Sequence, residues 1–184
     1  MSTLHTIPVE IRLATVEDAD AIARTHVASW RATYPGIVPQ VYLDSLSVEE
    51  RAERWRSALI ASTGMKIYVA ECSEMICGFA SGGPARAEIT GFSGELYAIY
   101  LNPEAQRSGI GARLFWSVAE DLVSSGHRGM YVWVLKDNPS RGFYERMGGS
   151  PLTTAEIEIG GKMLTEISYG WQDLTAAVKH RAQA

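Results

Sequence analysis

The chain has 184 residues, 46% of them hydrophobic and 21% charged, with a formal net charge of −4. That is the balance of one soluble domain with room for a core, and it argues against a dedicated nucleic-acid binder, which carries a basic face. No apolar run reaches the length of a membrane span.

The opening residues, "MSTLHTIPVE", lack the charged-then-apolar order of a secretory signal, so the expected location is the cytoplasm. "VEIRLA" predicts a first strand. Thr15, with Asp18 three residues on, opens a helix along which Ile22, Ala23, His26, Val27, Trp30 and Tyr34 recur at helical spacing. "YPGIVPQ" ends it. A short helical turn follows around Val41 to Leu46, and Ser47 with Glu50 caps a helix to about Ala61. "KIYVAEC" and "ICGFASGG" form a hairpin. Cys72 and Cys77 could face one another across its turn; two reduced, partly buried thiols are expected.

"GELYAIYL" is a strand that runs through "NPEAQRSGIG" into a helix from about Ser108 to Ser124, with Ile110, Leu114, Val118 and Leu122 as its buried stripe. "GMYVWVL" is apolar throughout, as a strand covered on both faces requires. A short helix begins near Pro139. "AEIEIGGKMLTEISYGW" is a hairpin turning at Gly160-Gly161. The predicted fold is α/β, a mixed sheet of about seven strands flanked by helices. One domain fills residues 1–184, with its core over about 9–171 and a polar, loose tail over 175–184. His5, His26, His127 and His180 show no ligand spacing and no cysteine or carboxylate cluster, so no metal is expected.

Two glycines, a serine and an arginine stand at the mouth of a helix in "QRSGIG". Glycine there costs roughly 0.5–1 kcal/mol against alanine, so something requires bare backbone. The first turn of a helix offers unpaired N–H groups at the positive end of its dipole, and a strand leading into a Gly-rich turn makes an anion site. Gly109 and Gly111 would let a phosphate approach the backbone, with Arg107 and Ser108 as side-chain contacts. A dinucleotide fingerprint wants a third glycine where Leu114 stands, and a Walker loop wants Gly-Lys-Ser/Thr, which is missing.

The loop resembles the acetyl-coenzyme A signature of the GCN5-related N-acetyltransferase (GNAT) family, Gln/Arg-x-x-Gly-x-Gly/Ala, with Gln106, Gly109 and Gly111 in its fixed positions. "DNPSRGFYERMGG" resembles the family's later motif through Asn138 and Tyr144. The resemblance covers about Val9 to Trp171. It implies a splayed sheet in which the backbone of Arg107, Ser108, Gly109, Ile110, Gly111 and Ala112 holds the pyrophosphate. The pantetheine arm would pair with the strand at Ile99, Tyr100 and Leu101, beside a bulge near Ala98 or Ile99. It also implies an acetyl-coenzyme A cosubstrate and leaves a homodimer open; no nucleic acid and no membrane partner are expected, from the net charge and the lack of a spanning run.

The implied reaction moves acetyl directly to a primary amine, on a small molecule or on a peptide. It needs a neutral amine, a donor toward the thioester oxygen and a route for the leaving thiolate. Glu95 aligns with the catalytic glutamate of some relatives and is the candidate base; the other reading is a bond to a neighbouring backbone N–H. Tyr144 is the candidate acid, set against a packing role beside Phe143. Asn138, before Pro139, reads as a helix cap and as a pantetheine contact at once. Trp30, Arg31, Tyr34 and Tyr169 are the candidate acceptor wall, although the spacing of Trp30 also reads as core. The rival functions are a non-catalytic acyl-coenzyme A sensor or interaction module, and a nucleotide-binding domain.

Overall fold

A computed structural model describes residues 9–61 and 63–181. The opening residues 1–8, on which the expected lack of a leader rests, lie outside them, as do 182–184 of the expected tail.

Seven strands form one sheet: β1 (Val9–Leu13), β2 (Lys66–Cys72), β3 (Met75–Ile89), β4 (Phe92–Leu101), β5 (Met130–Leu135), β6 (Ser150–Ile159) and β7 (Lys162–Trp171). Their spatial order is β1-β2-β3-β4-β5-β7-β6, with every pair antiparallel except β4–β5. The expected mixed, seven-stranded sheet is therefore present, and its one parallel contact joins the two strands on either side of α4.

The helices are α1 (Ala19–Thr33), α2 (Gln40–Asp44), α3 (Val48–Ile60), α4 (Ile110–Ser124), α5 (Gly142–Arg146) and α6 (Leu174–Arg181). α1 begins after a tight turn in which the Thr15 amide donates to Asp18 Oδ2 at 2.8 Å, and Asp18 also receives both guanidinium amines of Arg12. Ser47 caps α3 by accepting from the Glu50 amide at 3.1 Å. On α4 the stripe of Ile110, Leu114, Val118 and Leu122 is buried against one face of the sheet. Each such side chain contributes about 1.5–3 kcal/mol by leaving water. α1, α2 and α3 cover the opposite face, packing Val27, Leu43 and Ile22 over Leu135, Leu164 and Phe79.

Three expectations are corrected. The tail is not loose up to residue 181. Asp173 Oδ1 accepts from the Ala176 amide at 2.9 Å and starts α6, Leu174 is fully buried, and Arg181 reaches Glu120 of α4. Cys72 and Cys77 are joined as a disulfide rather than held as thiols. The β2–β3 register shifts beyond Ala70, and Cys77 is the extra residue, which brings it to its partner across the turn. The short helix starts at Gly142, not Pro139, because residues 138–141 form a separate turn closed by Asn138.

Candidate active site

β4 and β5 pair only from Gly94 to Leu96 against Met130 to Val132. Beyond that point they diverge. Ser81 stands opposite Ala98 but Gly82 opposite Leu96, so Tyr97 is an unpaired bulge residue on β4, one position before the place the resemblance implied. Past the bulge, the β5-facing edge of β4 has no strand partner, although β4 still pairs with β3 through Leu101. A backbone edge left open in the middle of a sheet is a place for an extended ligand to pair.

The gap opens into a cleft of about 890 Å³ that runs from the start of α4 to the end of α1. Gln106, Arg107, Gly109, Gly111 and Ala112 line one end. Gly109 caps α4 at φ +83°, the left-handed region that glycine enters without strain. Nothing lies within 4 Å of where its Cβ would be, so conformation explains the glycine and space does not. At Gly111 a Cβ would meet Phe143 at 3.5 Å, an ordinary contact, so the fold itself has room for a methyl group there. The Ser108 hydroxyl donates to the Ala105 carbonyl at 2.6 Å, which turns it back onto its own loop. Neither the Ser108 nor the Ile110 side chain lines the cleft; Ile110 is core.

Ile99, Tyr100 and Leu101 line the middle, facing Val132 and Val134 across the gap. Asn138 and Tyr144 close it from α5 and the loop before it. Asn138 Oδ1 accepts from the Ser140 amide at 2.8 Å, and its Nδ2 donates to Tyr34 Oη at 2.9 Å. Tyr144 is buried and packs between Phe143 and Tyr169. Burial, reinforced by nearby Tyr100, pushes its phenol far above the usual tyrosine range, so it stays protonated and can donate. Tyr34 is shifted upward for the same reason.

The structure separates three of the other expected site residues, Glu95, Arg31 and Tyr169, from the cleft. Glu95 is 2% exposed, and its carboxylate accepts from the Arg86 amide at 2.9 Å, from the Arg86 guanidinium and from Tyr131 Oη at 3.0 Å. It does not line the cleft. Arg31 donates to the Leu43, Asp44 and Leu46 carbonyls, holding the end of α2. Tyr169 does not line the cleft either. Alternation turns it toward α4 and α5, where it donates to Glu145 at 3.0 Å. Trp30 and Tyr34 do line the cleft, with rings 4.9 Å apart.

Several lining or supporting residues escaped the sequence reading. Tyr97 and Trp133 line the end of the cleft beside α1, and so does Glu166, on the face of β7 opposite Tyr169. Arg86, which pairs with Glu95, lies in the part of β3 beyond the expected hairpin strand. The alternation in "TEISYGW" could have marked Glu166; nothing short of the β3–β4 register marks Arg86.

Comparison with known proteins fits this geometry. The model of the FR47-like protein family matches residues 85–157, which span β4, the glycine loop, β5 and Tyr144. The uncharacterized N-acetyltransferase YuaI of Bacillus subtilis is 42% identical over 169 residues, covering 91% of this chain and 95% of its own. The chain belongs to the GCN5-related N-acetyltransferase family. Solved structures of this GNAT fold agree in architecture. The PaiA N-acetyltransferase of Thermoplasma acidophilum, in complex with coenzyme A, superposes with a TM-score of 0.70 at 22% identity, over 87% of this chain and 98% of its own. YncA of Salmonella typhimurium, with acetyl-coenzyme A, gives 0.65 at 18% identity, over 90% and 94%. Among the described residues of this GNAT protein, no helix is long and apolar enough to cross a membrane.

Proposed function

We propose that the protein transfers acetyl from acetyl-coenzyme A directly to a primary amine. The observation that carries this reading is the open edge of β4 beyond the Tyr97 bulge, aligned with the start of α4 in one cleft. The pantetheine arm pairs with Ile99 to Leu101 as an added strand, and its pyrophosphate takes the free amides from Arg107 to Ala112. This donor set suits a phosphate and an amide-bearing arm together.

A lysine-like amine has a pKa of about 10.4, so freeing it at pH 7 costs roughly 4–5 kcal/mol. The carboxylate of Glu95 is already engaged by Arg86 and Tyr131 and sits behind the cleft wall. On this reading it positions β3 against β4 and does not touch the amine, which loses its proton to water in the cleft. The amine then attacks the thioester carbon. A backbone amide on the open edge of β4 stabilises the developing oxyanion; as the C–S bond breaks, Tyr144 gives its proton to the departing sulfur, and the second amine proton returns to the phenolate through water.

Thermal unfolding with acetyl-coenzyme A, NADH and ATP tests the donor. Ligand at about 100 times its Kd adds roughly 2.7 kcal/mol, a shift of several degrees. A shift with acetyl-coenzyme A alone, followed by free thiol release with an amine, is the expected result. No shift in a folded sample overturns the assignment, and coenzyme binding without transfer to any amine would leave an acyl-coenzyme A sensor.

A further inference from the structure

The acceptor end of the cleft lies on the face of the sheet covered by α1 and α2. Its walls are aromatic and aliphatic: Trp30, Tyr34, Tyr97, Trp133, Ile157 and Ile159. Three charged side chains line the whole cleft. Arg107 and Arg146 come from the loop before α4 and from α5, toward the coenzyme end, and the third is Glu166.

Glu166 stands on β7 directly across from Leu135 of β5, the last pair of that register, and from Ala155 of β6, so it is paired on both sides. It shares its face with Leu164, which packs against Leu135 and Val27. Among the described residues its carboxylate has no hydrogen bond and no ion pair, unlike that of Glu95, whose oxygens are engaged by Arg86 and Tyr131. A carboxylate on a central strand, half-withdrawn from water and with no directly bonded cation, is costly unless a ligand supplies one. Burial, and then the charge of Glu95, holds its carboxyl above the usual range, although the more distant charge of Arg86 pulls it down.

We infer that Glu166 receives an ammonium group of the acceptor, and that the acceptor is therefore a positively charged amine with an apolar body rather than an amino acid or an acidic metabolite. This rests on the acetyltransferase reading above and names the substrate class for the same cleft. An aromatic wall favours such a cation twice, through apolar contact with its chain and through the ring faces. A carboxylate on the acceptor would meet Glu166, while Arg86, over the Tyr97 ring, is already engaged by Glu95, and such repulsion is how a site rejects the wrong ligand.

Two pairs of probes differ only by a carboxylate: 1,5-diaminopentane against lysine, and 2-phenylethylamine against phenylalanine. Each is titrated calorimetrically into the coenzyme A-loaded protein, wild type and Glu166→Gln, and each is assayed for thiol release with acetyl-coenzyme A. The expected result is that at least one decarboxylated amine binds about tenfold or more tightly than its amino acid, and that Glu166→Gln removes most of that preference. In the assay the same variant raises KM with little change in kcat, which a merely structural role would not do. Coenzyme A affinity and Tm of the variant stay at wild-type values, so a folding defect is visible if there is one. Glu166→Asp, which keeps the charge, restores part of the preference. Equal or tighter binding of the amino acids, no binding of any probe, or an unchanged preference in Glu166→Gln overturns the inference. Loss of coenzyme A binding in the wild type would instead overturn the acetyltransferase reading, so the two failures are separable.

Discussion

Asn138 and Tyr34 are 104 positions apart in the chain and joined by a hydrogen bond of 2.9 Å across the cleft, the amide donating to the phenol. The same asparagine closes the turn after β5 through its Oδ1. One side chain thus ties the end of α1, on the acceptor side, to the loop that precedes Tyr144.

Tyr34→Phe leaves the Asn138 amide without that acceptor while keeping the ring in place. The expected loss is about 1 kcal/mol of stability, seen as a Tm lower by a few degrees. Coenzyme binding weakens with it, because the loop is no longer held against α1. An unchanged Tm and Kd would show that the bond orders nothing.

The two loop glycines separate by experiment. Gly109→Ala forces a Cβ into the left-handed region and costs about 1–2 kcal/mol, with no clash to add to it. Gly111→Ala fits beside Phe143, so its Tm stays near wild type. Gly111→Glu sets a carboxylate against the proposed pyrophosphate site and should abolish acetyl-coenzyme A binding in a folded protein. Retained affinity in that variant would move the phosphate site elsewhere.

Glu95 is tested by pH. If it took the amine proton, the ratio of Glu95→Gln to wild-type kcat/KM would climb as the solution frees the amine. Its pairing with Arg86 and Tyr131 predicts a flat ratio from pH 6 to 9, accompanied by a lower Tm. Arg86→Met leaves the buried carboxylate with Tyr131 and the backbone amide of residue 86 but no cation, and is expected to cost about 1–3 kcal/mol.

His26 predicts acid sensitivity. It is buried, stacks on Tyr100 at 4.8 Å and accepts from Trp55 Nε1 at 3.3 Å. Burial, then the Arg51 charge, lowers its pKa to about 3. The unfolded chain binds a proton below about pH 6.5 and the folded chain does not, so stability falls as pH drops through that value. By pH 5 the loss is about 2 kcal/mol, read from urea unfolding at a series of pH values. His26→Gln, which keeps an acceptor for Trp55, should flatten that slope between pH 7 and 5.

The sequence by itself determined most of the elements and the glycine loop that lines one end of the cleft. Period-2 and period-3.6 patterns are local, and so is the glycine loop, where conformation and chemistry are written in consecutive residues. The buried stripe of α4, the Gly160-Gly161 turn and the order of Gln106, Gly109, Gly111, Asn138 and Tyr144 needed no tertiary information. α6 was missed because its apolar residues, Leu174, Ala177 and Val178, are few and flanked by charge; docking on α4 holds it. The acceptor end was decided only by the fold. Whether Glu95 meets an amine or Arg86 depends on the register between β3 and β4. Whether Glu166 or Tyr169 faces the cleft depends on which side of β7 the helices α1 and α2 cover. Alternation says that two residues point apart, but the layer over the Glu166 face comes from α1 and α2, more than a hundred residues away.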